Sequence, residues 1–325
     1  MRTSLDAVVA GVAVVDVIGR PVQLSRLPRQ GGLRLIDSIT MTTGGNVANC
    51  GTDLAKMGFR VGAITRVGAD ALGAFFRSEL SSHRIDMRGV HTTEGMQTSA
   101  TMVAVGPDGE RTFLHTRGAL RHFRVRDMLA QLDMIRRARF FLFGYYGLLP
   151  ECDAALGRLF RTVKETTGVE TLLDTGGNPV RNDRRLAAIL PHVDNFLPSL
   201  DEARAVTGRR TPQEIVQRLR ALGARGTLGV KLGSRGCYLD AGGEARVVPP
   251  RKVRRILDAT GAGDAFVAGF VAARLRGRDA FEAARVGNRV AADCIGGVGA
   301  STTIGLYARY DTGLKHDRRH QGSSR

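Results

Sequence analysis

The chain has 325 residues, 43% of them hydrophobic, enough for one large α/β domain with a substantial core. Its 48 Lys and Arg outnumber 31 Asp and Glu, giving a net charge of +17, a field that attracts anions such as nucleotides, phosphosugars or nucleic acid. No apolar run reaches about 18 residues, which excludes a membrane-spanning helix, and Cys50, Cys152, Cys237 and Cys294 are too scattered for a zinc site or a disulfide framework.

These cysteines fit a reducing cytoplasm. Asp6 interrupts the apolar N-terminus, so it reads as a strand and not as a signal peptide. Basic clusters at 117–126, 136–139, 251–255 and 315–325 come without a zinc finger or an aromatic nucleic-acid motif, so nucleic-acid binding has no second line of support.

The elements follow in chain order. Residues 7–17 form a continuous Val-rich run that suits one strand buried on both faces. Residues 21–43 show strand alternation with no helix beside them. The spacing predicts a helix over 47–57 ending at Gly58, a strand over 60–67 and a helix over 71–81. Residues 98–115 read as a hairpin, because Asp108-Gly109 sits in a turn between two alternating runs. Short strands follow at 139–144, 170–174, 195–198 and 226–232, with helices at 186–190, 201–207, 212–222 and 280–293. Strands alternating with helices predict a mostly parallel sheet covered on both faces. The segments at about 20–43 and 96–118 lie outside this rhythm and predict a small separate sheet, a lid over a cleft. The main domain is expected over 1–310, and the polar, basic tail over 311–325 is expected to be disordered.

One stretch carries the most chemistry. Residues 258–270 read Asp-Ala-Thr-Gly-Ala-Gly-Asp-Ala-Phe-Val-Ala-Gly-Phe. A glycine turn feeding an apolar helix directs unpaired N–H groups at one spot and favours an anion there. A carboxylate at such a spot suits a base that takes a proton from an attacking hydroxyl. The shortest form of the match, Gly-Ala-Gly-Asp, also fits a plain helix cap. A P-loop is absent from the sequence.

The full string resembles the C-terminal signature of the ribokinase-like (PfkB) family of carbohydrate kinases. Gly44-Gly45-Asn46-Val47-Ala48-Asn49 resembles that family's N-terminal signature, and Pro198-Ser199-Leu200-Asp201-Glu202 and Val230-Lys231-Leu232-Gly233-Ser234-Arg235-Gly236 resemble two further motifs, all in the expected order. The resemblance covers about residues 5–305.

It implies a doubly covered, mostly parallel α/β sheet with a small β-sheet lid, and an ATP-dependent kinase acting on a primary hydroxyl of a sugar or sugar derivative. Asp264 is then the base, with the amides of Gly261, Ala262 and Gly263 as the anion hole. Asp16, Gly44, Gly45 and Asn49 hold the acceptor. Ser199, Lys231, Gly233, Gly236 and Asn288 bind the nucleotide. Glu202 stands behind a Mg2+ ion, through water. Asp258, Thr260 and Gly299 form the neighbourhood in which several members bind a monovalent cation such as K+. A homodimer through the lid is implied as well. The acceptor alternative is a nucleoside, which Tyr145 and Tyr146 could face. An alternative of another class is a non-catalytic sugar or nucleotide sensor whose basic surface binds nucleic acid.

Overall fold

The computed structural model describes residues 4–177 and 179–312. Its thirteen strands, among the described residues, are β1 (Ala7–Ala10), β2 (Val14–Arg20), β3 (Ser38–Gly44), β4 (Val61–Gly68), β5 (Asp86–Thr93), β6 (Ala100–Val105), β7 (Arg111–Thr116), β8 (Phe140–Tyr146), β9 (Glu170–Thr175), β10 (Asn195–Phe196), β11 (Thr227–Lys231), β12 (Cys237–Ala241) and β13 (Glu244–Val248). Nine of them form one sheet in the order β13-β12-β11-β10-β9-β8-β1-β4-β5. From β5 to β11 every pairing is parallel, and β12 and β13 add an antiparallel edge.

Successive strand residues point to opposite faces, so apolar runs serve two cores at once. Val9, Leu142 and Leu172 pack on one face with the helices Gly45–Lys56, Ala262–Leu275 and Ala280–Cys294. Val8, Phe141 and Leu173 pack on the other with Leu156–Thr167 and Pro212–Ala221. All six strand residues are fully buried. Burial of both faces is what these near-continuous apolar strands require.

The second sheet has four strands in the order β3-β2-β6-β7. Its register sorts its residues cleanly. Asp16, Thr42, Thr101 and His115 lie in one row, and Met41, Val17, Met102 and Leu114 lie in the next, on the opposite face. Thr101 is buried, whereas Met41, Met102 and Leu114 are 49%, 65% and 67% exposed. This is the expected small sheet, although its first strand is drawn from the run at 7–17.

That run is the main departure from the expected elements. It is not one strand but two, in different sheets, separated at Gly11-Val12-Ala13. Gly11 takes φ +135, outside the reach of most side chains, and the buried Asn46 holds the break: its Oδ1 accepts the Val12 N–H at 2.8 Å and its Nδ2 donates to the Ala10 carbonyl at 2.9 Å. Residues 21–37 also depart. They hold one short 3-10 turn, Leu24–Arg26, and strand pairing begins only at Ser38. The tail beyond 312 lies outside the described residues. No helix among the described residues is long and apolar enough to cross a membrane.

Candidate active site

The carboxyl ends of parallel strands are where an open α/β sheet leaves room for ligands. Here β8 ends at Tyr145-Tyr146, β9 at Asp174-Thr175 and β11 at Lys231, and Ser199 bridges to Lys231 just past β10. Tyr145, Asp174, Thr175, Ser199 and Lys231, together with the start of the helix Ala262–Leu275, line a cleft of about 690 Å³. Its wall includes Ser199, Glu202, Lys231, Gly233, Gly236, Gly261, Ala262, Gly263, Asp264 and Asn288. All the nucleotide-side residues expected from the sequence therefore share one cavity.

Gly261 stands just before the helix with φ +76, and a Cβ there would lie 2.4 Å from that of Ala300. Only glycine fits that turn. Helix geometry leaves the first-turn N–H groups without intrahelical acceptors, so those of Gly263 and Asp264 are available to an anion. The Ala262 N–H has a weak bond to the Ala259 carbonyl at 3.3 Å.

Asp264 lies in that first turn and is 4% exposed. Its Oδ2 accepts from Asn49 Nδ2 and from the Tyr145 hydroxyl, both at 2.8 Å. Its Oδ1 is approached only by the Cys50 thiol, at 3.7 Å, among the described residues. Burial raises the Asp264 pKa above the ordinary carboxylate value, and the bonds from Asn49 and Tyr145 work against that rise. A carboxylate of raised proton affinity, fixed through one oxygen and open at the other, has the properties of a base.

Lys231 lies 2.8 and 2.9 Å from the two oxygens of Asp174, and both side chains are buried. A Cβ on Gly263 would be 3.5 Å from Lys231 Nζ, so this ammonium sits beside the helix start. Burial pushes the Asp174 carboxyl up, and Lys231 offsets part of that rise. Glu202 completes a capping box with Ser199. Its Oε2 accepts the Ser199 N–H at 2.9 Å and the Thr175 hydroxyl at 2.6 Å. Burial would raise its pKa, but Lys231 and these bonds hold it below the ordinary value. Asp174 is engaged at both oxygens by Lys231, whereas the bonds of Glu202 fall on Oε2, so Glu202 is the carboxylate that fits a water-mediated contact to Mg2+. Gly233 and Gly236 take φ +61 and +86 in the turn after β11. Asn288 donates to the Val248 and Pro249 carbonyls at 3.2 and 2.9 Å, so it also anchors the loop that borders the cleft.

The expected acceptor residues gather beside this cleft and not within its lining. Asp16, on the small sheet, has its Oδ2 2.7 Å from where a Cβ of Gly44 would sit. Gly45, at φ +79, starts the helix that carries Asn49 to Asp264. Burial raises the Asp16 pKa, and Thr101, His115 and Arg111 oppose it. Asp258, Thr260 and Gly299 do meet: Asp258 accepts the Thr260 N–H at 2.9 Å and the Gly299 N–H at 3.0 Å.

Sequence reasoning missed two participants. Asp174 ends a strand that was read only as a strand, and its position at a carboxyl end was the available signal. From the sequence, Tyr145 reads as facing a nucleoside base or as packing. It takes φ +64, packs on Gly176 and bonds Asp264, a conformation no pattern in the sequence reveals. Tyr146 is buried in the core. Outside this site, Arg66 clamps Asp127 with bonds of 2.8 and 3.0 Å.

Comparison with known proteins identifies the family and the fold. The model of the pfkB family carbohydrate kinases matches residues 4–304. A ribokinase of Haemophilus influenzae is 26% identical over 267 residues, covering 80% of this chain and 83% of that protein. A 2-dehydro-3-deoxygluconokinase of Bacillus subtilis is 25% identical over 280 residues, covering 81% and 83%. The structure of Arabidopsis thaliana ribokinase complexed with ribose and ATP superposes with a TM-score of 0.81 at 25% identity, covering 95% of this chain and 98% of that one.

Proposed function

The chain belongs to the pfkB family of carbohydrate kinases and is a phosphotransferase, and from that premise we propose that it moves the γ-phosphoryl group of ATP to a primary hydroxyl of a sugar or sugar derivative. The observation that carries the proposal is the placement of Asp264. It is buried, held through Oδ2 by Asn49 and Tyr145, and next to the open amides of the helix start and to Lys231.

In this reading the acceptor hydroxyl meets Asp264 at Oδ1 and gives up its proton there. The amides of Gly263 and Asp264, with Gly261 shaping the turn, neutralise charge on the transferring phosphoryl oxygens. Lys231 adds a positive charge on the same side. Glu202 would hold the water shell of Mg2+, which when bound offsets the polyphosphate charge, and Asp174 holds Lys231 in place. Gly233, Gly236, Ser199 and Asn288 shape the nucleotide side. Asp16, Gly44 and Gly45 hold the acceptor, and the small sheet acts as a lid that excludes water.

A sugar suits the acceptor side better than a nucleoside base. Asp16, Thr42, Thr101 and His115 give a polar row suited to hydroxyl groups. Tyr146 is in the core and offers no ring to a base, and the hydroxyl of Tyr145, which lines the cleft, is engaged with Asp264. The relative solved with ribose and ATP supports the same pairing of ligands. The exposed row of Met41, Met102 and Leu114 supports a homodimer through the lid. The four buried free thiols are compatible with a cytoplasmic location.

The test is ADP release from Mg·ATP across pentoses, hexoses, sugar acids, phosphosugars and nucleosides. Release that depends on a sugar-class acceptor supports the proposal. Release that depends on a nucleoside alone would replace the acceptor class, and nucleotide binding without transfer to any acceptor would favour a sensor.

A further inference from the structure

The hairpin of the small sheet presents Arg111 as the first residue of β7, immediately after the Gly106–Glu110 turn. Its guanidinium leaves its own sheet. Nη2 lies 2.7 Å from Asp258 Oδ2, and Nη1 donates to the Thr260 hydroxyl. Thr260 directly precedes Gly261, so this contact ends at the loop that sets the anion hole. On β7, Arg111 lies four residues before His115, which shares a row with Asp16, so Arg111 is on the same face of the small sheet, and its charge opposes the rise in the Asp16 pKa. A side chain from the acceptor-facing side of the lid thus reaches the anion-hole loop.

The surroundings of Asp258 show what that guanidinium does. The carboxylate is 5% exposed and the Arg111 side chain 26%. Asp258 Oδ1 takes the Thr260 N–H, and Oδ2 takes the Gly299 N–H as well as Arg111. Both oxygens are occupied, and the one negative charge is matched by one positive charge. A monovalent cation placed among Asp258, Thr260 and Gly299 would meet the guanidinium at close range and find no unmatched carboxylate. The family's cation neighbourhood therefore does not fit a cation in this chain with Arg111 in place.

We propose that Arg111 is a positioning residue that latches the lid to the anion-hole loop and supplies, at Asp258, the positive charge that several members take from a monovalent cation. The proposal rests on the kinase reading above. Binding of the acceptor under the lid then fixes Thr260 and Gly261, so the anion hole is set only when the acceptor site is covered. Transfer becomes independent of potassium and dependent on the hairpin. A fork-shaped guanidinium can bind a carboxylate and a hydroxyl together, which a lysine does less well.

The experiment compares wild type, Arg111→Met and Arg111→Lys, with potassium or tetramethylammonium as the monovalent cation at equal ionic strength. Wild type should be equally active in both. Arg111→Met should lose about ten- to a hundred-fold in kcat/KM, the range for a lost charged hydrogen bond. Added guanidinium at low concentration should restore part of that loss, and Arg111→Lys should fall between the two. Hydrogen exchange of the amides of 106–116 should be faster in Arg111→Met with ligands bound. Strong stimulation of wild type by potassium would overturn the proposal, as would an Arg111→Met protein with wild-type kinetics and exchange. If wild type transfers phosphate to no acceptor, the kinase reading fails instead, and the exchange comparison alone then decides whether the latch exists.

Discussion

The Tyr145 hydroxyl donates to Oδ2 of Asp264 at 2.8 Å, from a backbone held at φ +64. A tyrosine in the left-handed region costs about 1–2 kcal/mol, so the surrounding structure must hold it there. The bond stabilises the ionised carboxylate and leaves Oδ1 for the reacting hydroxyl. Tyr145→Phe removes a donor to the charged form, so the Asp264 pKa rises further. The acid limb of the kcat/KM profile should then move to higher pH, with a loss of about three- to ten-fold near neutrality. An unmoved limb would show that Tyr145 does not tune the base.

Lys231 and Asp174 form a buried pair beside the helix start. Lys231→Met leaves Asp174 buried without its partner and should cost about 3–5 kcal/mol of stability as well as raising the KM for ATP. Lys231→Met combined with Asp174→Asn should regain much of the stability and none of the nucleotide affinity. Thermal or urea unfolding checks the first part and steady-state kinetics the second. Additive stability losses in the double variant would contradict the pairing.

Asp53 is fully buried on the helix Gly45–Lys56; neither oxygen has a well-formed hydrogen bond among the described residues, and the nearby Ser301 side chain offsets the burial only in part. Burial pushes its pKa up to about 8. A folded pKa above the unfolded value stabilises fully only below the unfolded value, and that contribution is lost as pH rises toward the folded one. Stability attributable to Asp53 should therefore fall between about pH 4 and pH 8. Asp53→Asn carries no charge and should be more stable than wild type at pH 8 by about 1–3 kcal/mol. Equal unfolding curves at pH 8 would count against it.

Much of this was legible in the sequence for physical reasons. Apolar strands such as 139–144 and 170–174 are buried on both faces, and a run buried on both faces needs no long-range information to be recognised. Gly261, Gly263 and Asp264 were legible because a tight turn before a helix restricts residue type at each position. The break inside 7–17 was not, because it depends on Gly11 and on Asn46, which reaches back across 34 residues to Val12. The roles of Tyr145, Asp174 and Arg111 were hidden for the same reason. Each acts on a partner far away in sequence: Asp264, Lys231 and Asp258.

The exposed row on the small sheet gives a further prediction. Met102 and Leu114 are register partners and both are largely exposed. Met102→Lys with Leu114→Glu removes that apolar face without touching Asp16 or Thr101 on the other side. Sedimentation should show a dimer for wild type and a monomer for the variant. An unchanged mass would move the interface elsewhere.

The most direct test of the account is turnover of Asp264→Asn, measured alongside ATP and acceptor binding. Asparagine keeps the shape of the side chain but cannot take the hydroxyl proton. The account predicts a loss of about 10²–10⁴-fold in kcat, the usual contribution of a general base, with both ligands still bound. Turnover close to wild type would remove Asp264 as the base and contradict the mechanism.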